Sequence, residues 1–179
     1  RLIMSKKYAF LFPGQGAQAP GMAKDIAESS AAAKKVIDDI SAITGLDMAK
    51  LLWESTPEDL ARSDNSQIAI TAASLATMAA LKEKGIEPSS AMGFSHGEFP
   101  DLYAAGLLSF EDVVLVVRQR GIIMQKVCEE IASKSEGRAP GMTAGLGLSQ
   151  DQVKALVEPI EDAYAANMNS DKQTVVSGT

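Results

Sequence analysis

A run of 17 consecutive uncharged residues, 65–81, constrains the fold of this chain more than any other feature of its sequence. Its apolar part, residues 68–81, is rich in alanine and is shorter than the ~20 residues that a bilayer-spanning helix needs. The run therefore predicts a buried helix from Gln67 to Lys84 that ends at Gly85, because glycine readily adopts the left-handed backbone that follows a helix. Such a helix needs a core around it, and 179 residues are enough to form one.

Short apolar segments on either side of this helix are typical of strands. Tyr8–Phe12 has breakers at its end and predicts a fully buried strand of a parallel sheet, with Pro13–Gly16 as the loop at its carboxyl end. Residues 88–94 predict a second brief buried strand, which ends immediately before Ser95.

Capping signals divide much of the remaining chain into helices. Helices are predicted to begin at residues whose hydroxyl can accept a hydrogen bond from the first turn, namely Ser29 or Ser30, Thr56, Ser109 and Ser149. The first of these helices has an apolar face of Val36, Ile37, Ile40 and Ile43, and Gly45 follows its end. Strands that alternate with helices predict an α/β fold with a mostly parallel sheet.

The character of the sequence changes after Ser133. We predict a polar connector over residues 134–140 and a strand over residues 142–148. A helix over residues 149–159 and a second strand over residues 173–177 follow. The sequence therefore predicts an α/β core over residues 4–132, with Met4 as the native start, and the beginning of a small subdomain over residues 133–179.

Composition and charge exclude several classes of protein. The 17 basic and 23 acidic residues give a net charge of −6, so the positive field of a nucleic-acid-binding protein is missing. One cysteine, Cys128, and one histidine, His96, allow neither an internal disulfide nor a zinc site of the usual kinds. The apolar run at Tyr8–Phe12 is too short for a secretory signal. We therefore expect a cytoplasmic protein that binds neither nucleic acid, membrane nor metal.

The pentapeptide Gly93-Phe-Ser-His-Gly97 matches the G-x-S-x-G pattern of an exposed serine between a strand and a helix. Its glycines allow a tight turn, and the N–H groups at the start of the following helix favour the oxyanion that forms when a serine attacks a carbonyl. The pattern predicts Ser95 as a nucleophile, and the alternative is a chance match in a loop. Pro100 predicts that the following helix begins irregularly.

The helix that follows Ser109 carries a second unusual feature, an arginine in the middle of an apolar stripe: Val113, Val117, Arg120, Met124 and Val127. A buried arginine is costly without an anion. Arg120 therefore either forms a structural salt bridge, extends to solvent at the edge of the stripe, or binds a substrate carboxylate in a bidentate manner. Arg118 lies off the stripe and is expected to be a solvated surface charge.

His96 is the only imidazole of the chain, yet the turn disfavours it as a general base. Side chains at consecutive positions of such a turn diverge, so His96 is placed to offer its backbone N–H to an oxyanion rather than to accept the Ser95 proton. Glu98 and Asp101 are expected to be charges at a helix start and not acid or base groups.

Five segments, in this order along the chain, resemble the malonyl-CoA:acyl carrier protein transacylases and related acyltransferase domains: Phe12–Gln18, Gly93–Glu98, Ala104–Asp112, Arg120–Gln125 and Asn167–Ser170. The resemblance implies a serine-hydrolase-like α/β core and an inserted ferredoxin-like subdomain, which is incomplete here and begins near Ser133. It also implies that Ser95 accepts a malonyl group from CoA as an ester. The group then passes to the phosphopantetheine thiol of acyl carrier protein in fatty-acid biosynthesis, with the CoA thioester as substrate and no cofactor.

The resemblance implies catalytic roles for residues around Ser95. Gln15 and His96 form the oxyanion hole. The family usually has His before the serine and an aliphatic or Gln residue after it, whereas this chain has Phe94 and His96. The catalytic histidine of the family follows the Asn-x-Asn motif and is not among these 179 residues. We therefore expect the chain to be the N-terminal portion of an acyltransferase.

The resemblance also implies how the acyl group is bound. Arg120 binds the free carboxylate of malonate, and Met124 lines the acyl pocket. Gln67 lies near the entrance, and Asn167 and Asn169 help to shape the site from the small subdomain.

Other functions remain open from the sequence alone. A polyketide-synthase-type acyltransferase shares the motifs. A serine esterase on a similar core has no use for Arg120 in its acyl pocket. A non-catalytic fragment would bind carrier protein without turnover, which the missing base allows.

Overall fold

The structure is a computed structural model that describes residues 6–135, 138 and 140–179. The described elements are β1 (Ala9–Phe12), α1 (Lys24–Ser29), α2 (Ala31–Thr44), α3 (Met48–Glu54), α4 (Pro57–Ala61), α5 (Ser63–Glu83), β2 (Ser90–Gly93), α6 (Glu98–Ala104), α7 (Phe110–Lys134), β3 (Gly141–Leu146), α8 (Gln150–Val157), β4 (Ala163–Ser170) and β5 (Gln173–Gly178). The predicted start at Met4 and the connector residues Glu136, Gly137 and Ala139 lie outside the described residues.

The chain divides into two units, one that ends at Gln125 and one that begins at Lys126. This division falls inside α7. The predicted boundary between residues 132 and 133 stays a prediction. A parallel sheet in the first unit and an antiparallel sheet in the second confirm the mixed α/β class.

The sheet of the first unit pairs β1 and β2 in parallel, with Phe12 opposite Gly93. The two strands are not fully buried, so the prediction of buried strands at Tyr8–Phe12 and at residues 88–94 is wrong with respect to burial. Phe10 and Phe12 belong to the core, while Leu11 is 69% exposed and Met92 is 61% exposed. The reason is that successive side chains of a strand point to opposite faces, and here the core covers only one face of the pair. Because the strands are parallel, the loops at their carboxyl ends lie side by side.

Helix α5 is buried along most of its length and packs mainly on α2, as its uncharged sequence predicts. It begins four residues earlier than predicted, at Ser63, and ends at Glu83 before Gly85, whose φ is +73°. Two hydrogen bonds between α5 and α7 stabilise this early start. The Ser63 N–H donates to Gln125 Oε1 at 3.0 Å, and Arg118 Nη1 donates to the Asp64 carbonyl at 2.8 Å. Arg118 is therefore half-buried and bound, and the expectation of a solvated charge is wrong.

Side-chain caps account for most of the helix starts that the sequence predicts. The Ser30 hydroxyl accepts from the Ala33 N–H at the start of α2, and Gly45 adopts φ +71° at its end. Thr56 caps α4 and Ser109 bonds the first turn of α7 in the same way. The sequence did not predict α1 and α3, because short helices carry little periodic signal.

The second unit contains an antiparallel sheet in the order β3–β5–β4, with α8 between β3 and β4 along the chain. Ser149 and Gln152 form a complete capping box at the start of α8, as predicted. Strand β4 is not predicted from the sequence, because it is rich in alanine and asparagine, which are depleted in strands. Its hairpin with β5 supplies the hydrogen bonds that override this preference.

Candidate active site

The segment from β2 to α6 forms a tight turn that presents Ser95 to solvent. Ser95 has a left-handed backbone (φ +52°), which is uncommon for a residue with a Cβ atom, and residues 95–97 form a single 3₁₀ turn before α6. This irregular start agrees with the expectation from Pro100. Because Pro100 lies at the third position of α6, its missing N–H would have no helical partner in any case.

Glycines make this turn possible by close backbone approach. A Cβ atom on Gly97 would collide with the Phe12 carbonyl, and one on Gly93 would collide with the backbone of Gly97. The end of β1 therefore packs directly beneath the serine turn. Only glycine fits at these two positions without a backbone shift.

The loop after β1 lies beside Ser95. A Cβ atom on Gly14 would stand 2.7 Å from the Phe94 carbonyl oxygen and 3.4 Å from Ser95 Cβ. Gln15 follows directly and donates from Nε2 to Ser63 Oγ at 3.5 Å. The loop thus brings Gln15 to the neighbourhood of the serine, at the amino end of α5.

The His96 side chain points into the core, where it is 2% exposed. Its Nε2 lies 2.9 Å from the Gln67 carbonyl oxygen and 3.0 Å from Thr71 Oγ1. Since a carbonyl oxygen only accepts, Nε2 carries the proton, and Nδ1 has no hydrogen-bond partner among the residues that the structure describes. His96 therefore does not hydrogen-bond Ser95.

The environment of His96 keeps its imidazole neutral. The pKa of His96 is lowered from 6.5 to about 4: burial is the largest cause, the hydrogen bond to the Gln67 carbonyl opposes it, and the nearby Arg120 charge adds to the lowering. A group that binds a proton so weakly and lies away from the serine is a poor general base near neutral pH.

Arg120 has a neutral partner. Its Nη1 donates to Gln67 Oε1 at 2.7 Å, and its guanidinium carbon lies 5.5 Å from the centre of the Phe99 ring. Within the residues that the structure describes, Arg120 forms no ion pair, so the structural salt bridge considered above is not found. One hydrogen bond uses one of the five guanidinium donors, and the others can bind an anion.

The neighbours of Arg120 on α7 form an open, largely apolar groove of about 510 Å³, lined by Leu115, Val116, Gln119, Arg120, Ile123 and Met124. The buried side of α7 is Val113, Val114, Val117 and Gly121. Val127, which was predicted to continue the stripe, is 46% exposed. Gly121 is the last buried residue of α7, and a Cβ atom there would lie 2.7 Å from the Ser63 carbonyl oxygen at the start of α5.

Gln67 lies at the centre of this cluster and is fully buried. Its place near the entrance of the site stays a prediction. Its backbone carbonyl accepts from His96. Its side-chain Oε1 accepts from Arg120, and its side-chain Nε2 lies 3.1 Å from Met124 Sδ. Both polar atoms of the Gln67 side chain therefore have a partner.

Sequence reasoning did not identify Thr71 and Phe99 as members of the cluster. Thr71 follows Gln67 by one helical turn, and Phe99 contacts both His96 and Arg120. The available signal was weak: Thr71 is a polar residue in an otherwise apolar helix, at the i+4 position from Gln67.

Asn167 and Asn169 lie on β4 of the second unit and are exposed. Asn169 Nδ2 donates to Gln173 Oε1 at 3.5 Å on the neighbouring strand. The cluster of Ser95, His96, Gln67 and Arg120 belongs to the first unit.

Residues 6–135, 138 and 140–179 contain no helix long and apolar enough to span a bilayer. They also contain no group of three or more His, Cys, Asp or Glu side chains that could hold a metal ion.

Comparison with known proteins places this geometry in context. The model of the acyl transferase domain family matches residues 9–179. A malonyl CoA-acyl carrier protein transacylase of Bacillus subtilis (strain 168) is 37% identical over 177 residues, which cover 97% of this chain and 54% of the relative. The chain therefore spans about half the length of the curated relatives that it matches.

Solved structures of similar proteins superpose on this chain. The malonyl CoA-acyl carrier protein transacylase of Clostridium perfringens superposes with a TM-score of 0.80 at 33% identity, over 97% of this chain and 54% of that one. A malonyl-transacylase in complex with its type II PKS acyl-carrier protein superposes with a TM-score of 0.82 at 28% identity, over 97% and 55% of the two chains.

Proposed function

This chain belongs to the acyl transferase domain family, and from that premise we propose that it carries the nucleophile and the carboxylate-binding arginine of a malonyl-CoA:acyl carrier protein transacylase. One observation carries the proposal. An exposed serine in a strained strand-to-helix turn and an arginine without a carboxylate partner among the described residues belong to one cluster, joined through His96 and Gln67. An enzyme that transfers malonyl groups needs both of these side chains.

The proposed reaction has two symmetric halves. The Ser95 hydroxyl attacks the thioester carbonyl of malonyl-CoA, the C–S bond breaks, and CoA leaves as a thiol with the serine proton. The phosphopantetheine thiol of acyl carrier protein then attacks the seryl ester, the C–O bond breaks, and the thiol proton returns to Ser95. Both halves pass through an oxyanion at the former carbonyl.

Three groups are proposed to stabilise these steps. The backbone N–H of His96, at the start of the 3₁₀ turn, and Gln15, on the adjacent loop, form the oxyanion hole. Arg120 binds the malonate carboxylate through the guanidinium donors that Gln67 leaves free, and Met124 lines the acyl pocket beside it.

The proton acceptor for Ser95 is not the His96 imidazole, because that ring is neutral, buried and bonded to α5. The resemblance assigns this role to a histidine that follows the Asn-x-Asn segment in the family. A functional role of Asn167 and Asn169 stays a prediction from the resemblance. No bound cofactor is needed, since the CoA thioester is itself the substrate.

Two finer points of fold and location are part of the proposal. A serine-hydrolase-like core is supported by the β2–turn–α6 unit, and a ferredoxin-like subdomain by the order β3–α8–β4–β5 in one antiparallel sheet. The names of the relatives support malonyl-CoA and acyl carrier protein as partners in fatty-acid synthesis. A cytoplasmic location is part of the same proposal.

The experiment is to incubate the intact protein with malonyl-CoA and to measure its mass. One malonyl group should be added per protein and should map to the peptide that contains Ser95. Ser95→Ala should abolish the addition, and Ser90→Ala, which changes an exposed serine on the preceding strand, should not. Labelling that persists in Ser95→Ala would contradict the proposal, and so would a wild-type protein that is never labelled.

A further inference from the structure

The residue after the nucleophile contributes more than a backbone N–H. We infer that His96 is a positioning residue: its imidazole fixes α5 at Gln67 and, through the Gln67 amide, fixes the guanidinium of Arg120. Selection of a carboxylated acyl group would then depend on the side chain that directly follows the nucleophile. The inference rests on the function proposed above, because it concerns the same Arg120.

The first step is the bond from His96 to α5. Within a helix the Gln67 carbonyl already faces the N–H of Thr71 four residues later. The His96 Nε2–H adds a second donor to this oxygen at 2.9 Å and also lies 3.0 Å from Thr71 Oγ1. The imidazole is thereby anchored to one specific turn of α5, which is the turn that begins with Gln67.

The second step is the side chain of Gln67. A guanidinium can only donate, so the Gln67 oxygen must face Arg120 and its NH₂ group must face Met124, at 2.7 and 3.1 Å respectively. Because Gln67 is fully buried, any shift that breaks these contacts leaves a polar group unpaired. The position of the Gln67 backbone therefore determines the position of Arg120.

A second connection between His96 and Arg120 runs through the ring of Phe99. The rings of His96 and Phe99 lie 5.7 Å apart, and the Arg120 guanidinium lies over the Phe99 ring at 5.5 Å. Phe99 thus contacts both the imidazole and the guanidinium. A charged group at position 96 would repel Arg120, and the neutral state of His96 agrees with this arrangement.

The alternative is a histidine that only fills space beneath the turn. In that case a leucine of similar size changes stability but leaves the selection of acyl groups as it was. Two substitutions separate these possibilities, and both retain the backbone N–H that is proposed for the oxyanion hole. His96→Leu removes the ring donors, whereas His96→Gln places an amide NH₂ near the position of Nε2.

The first measurement is the ratio of kcat/KM for malonyl-CoA to that for acetyl-CoA. We expect His96→Leu to lower this ratio roughly fivefold to tenfold, about the effect of one hydrogen bond. His96→Gln should restore most of the ratio. The control is Ser66→Ala, which removes from the residue next to Gln67 a buried hydroxyl that has no hydrogen-bond partner within the described part of the chain, and which should leave the ratio unchanged. An unchanged ratio in His96→Leu, or an equal loss in His96→Gln, would overturn the inference.

The second measurement needs no substrate. His96 is the single histidine among these 179 residues, and in the ¹⁵N-histidine-labelled protein its pair of ring signals is the one that His96→Gln removes. We expect a protonated Nε2 and an unprotonated Nδ1 at neutral pH. A proton on Nδ1 overturns the inference. A wild-type protein with the expected ring state that malonyl-CoA fails to acylate would instead contradict the proposed function.

Discussion

Acidification should destabilise this protein through His96 in particular. The pKa of His96 is about 4 in the folded protein, against 6.5 for an unperturbed imidazole. Between these values the unfolded chain binds more protons than the folded one, so stability is fully present above pH 6.5 and is lost as the pH falls toward 4. The corresponding free energy of unfolding is about 2 kcal/mol lower at pH 5 than at pH 7, and the full loss is about 3 kcal/mol.

Urea unfolding at pH 7, 6 and 5 measures this loss directly. The comparison is between the wild type and His96→Gln, which keeps an amide donor near Nε2 but cannot be protonated in this range. Carboxylates titrate alike in both proteins, so the difference between their pH dependences isolates the imidazole. We expect the wild type to lose about 2 kcal/mol more than the variant between pH 7 and pH 5. Equal losses in the two proteins would refute the buried, neutral state of His96 and the reasoning built on it.

Two further substitutions test the site and its turn. Arg120→Ala should lower the malonyl-to-acetyl ratio of kcat/KM about thirtyfold, since a charge-assisted contact in a desolvated pocket contributes about 2 kcal/mol. Lys126→Ala, which removes an exposed charge from the same helix, should leave that ratio unchanged, and an equal effect of the two substitutions would refute the assignment. Gly97→Ala should lower the free energy of unfolding by about 3 kcal/mol because its Cβ would collide with the Phe12 carbonyl. Gly141→Ala, where nothing lies within 4 Å, is the matched control for urea unfolding, and a Gly97→Ala protein as stable as this control would contradict the close approach.

Local sequence signals predicted the structure correctly where a residue interacts with its neighbours in the sequence. Ser30 caps α2 three residues away, and Gly45 ends the same helix with a left-handed backbone. The glycines around Ser95 likewise follow from the turn that they form. Such features could be predicted because the interacting groups are adjacent in sequence, whatever the rest of the fold does.

Burial was predicted less well, because it depends on what covers each face. Tyr8–Phe12 correctly predicted strand β1, yet Leu11 is exposed since only one side of the two-stranded sheet meets the core. The start of α5 at Ser63 was missed for a related reason. Its acceptor, Gln125, is 62 residues away and lies on another helix.

The sequence by itself determined the strand, the serine turn and the arginine on α7, because hydrophobic period, glycine sterics and capping operate within a few residues. Only the tertiary structure decided what these side chains meet. Gln67 lies 53 residues from Arg120 and 29 from His96, yet it bonds both. Periodicity identified Arg120 as anomalous but could not name its partner, since the packing of α5 against α7 and the serine turn brings these groups together.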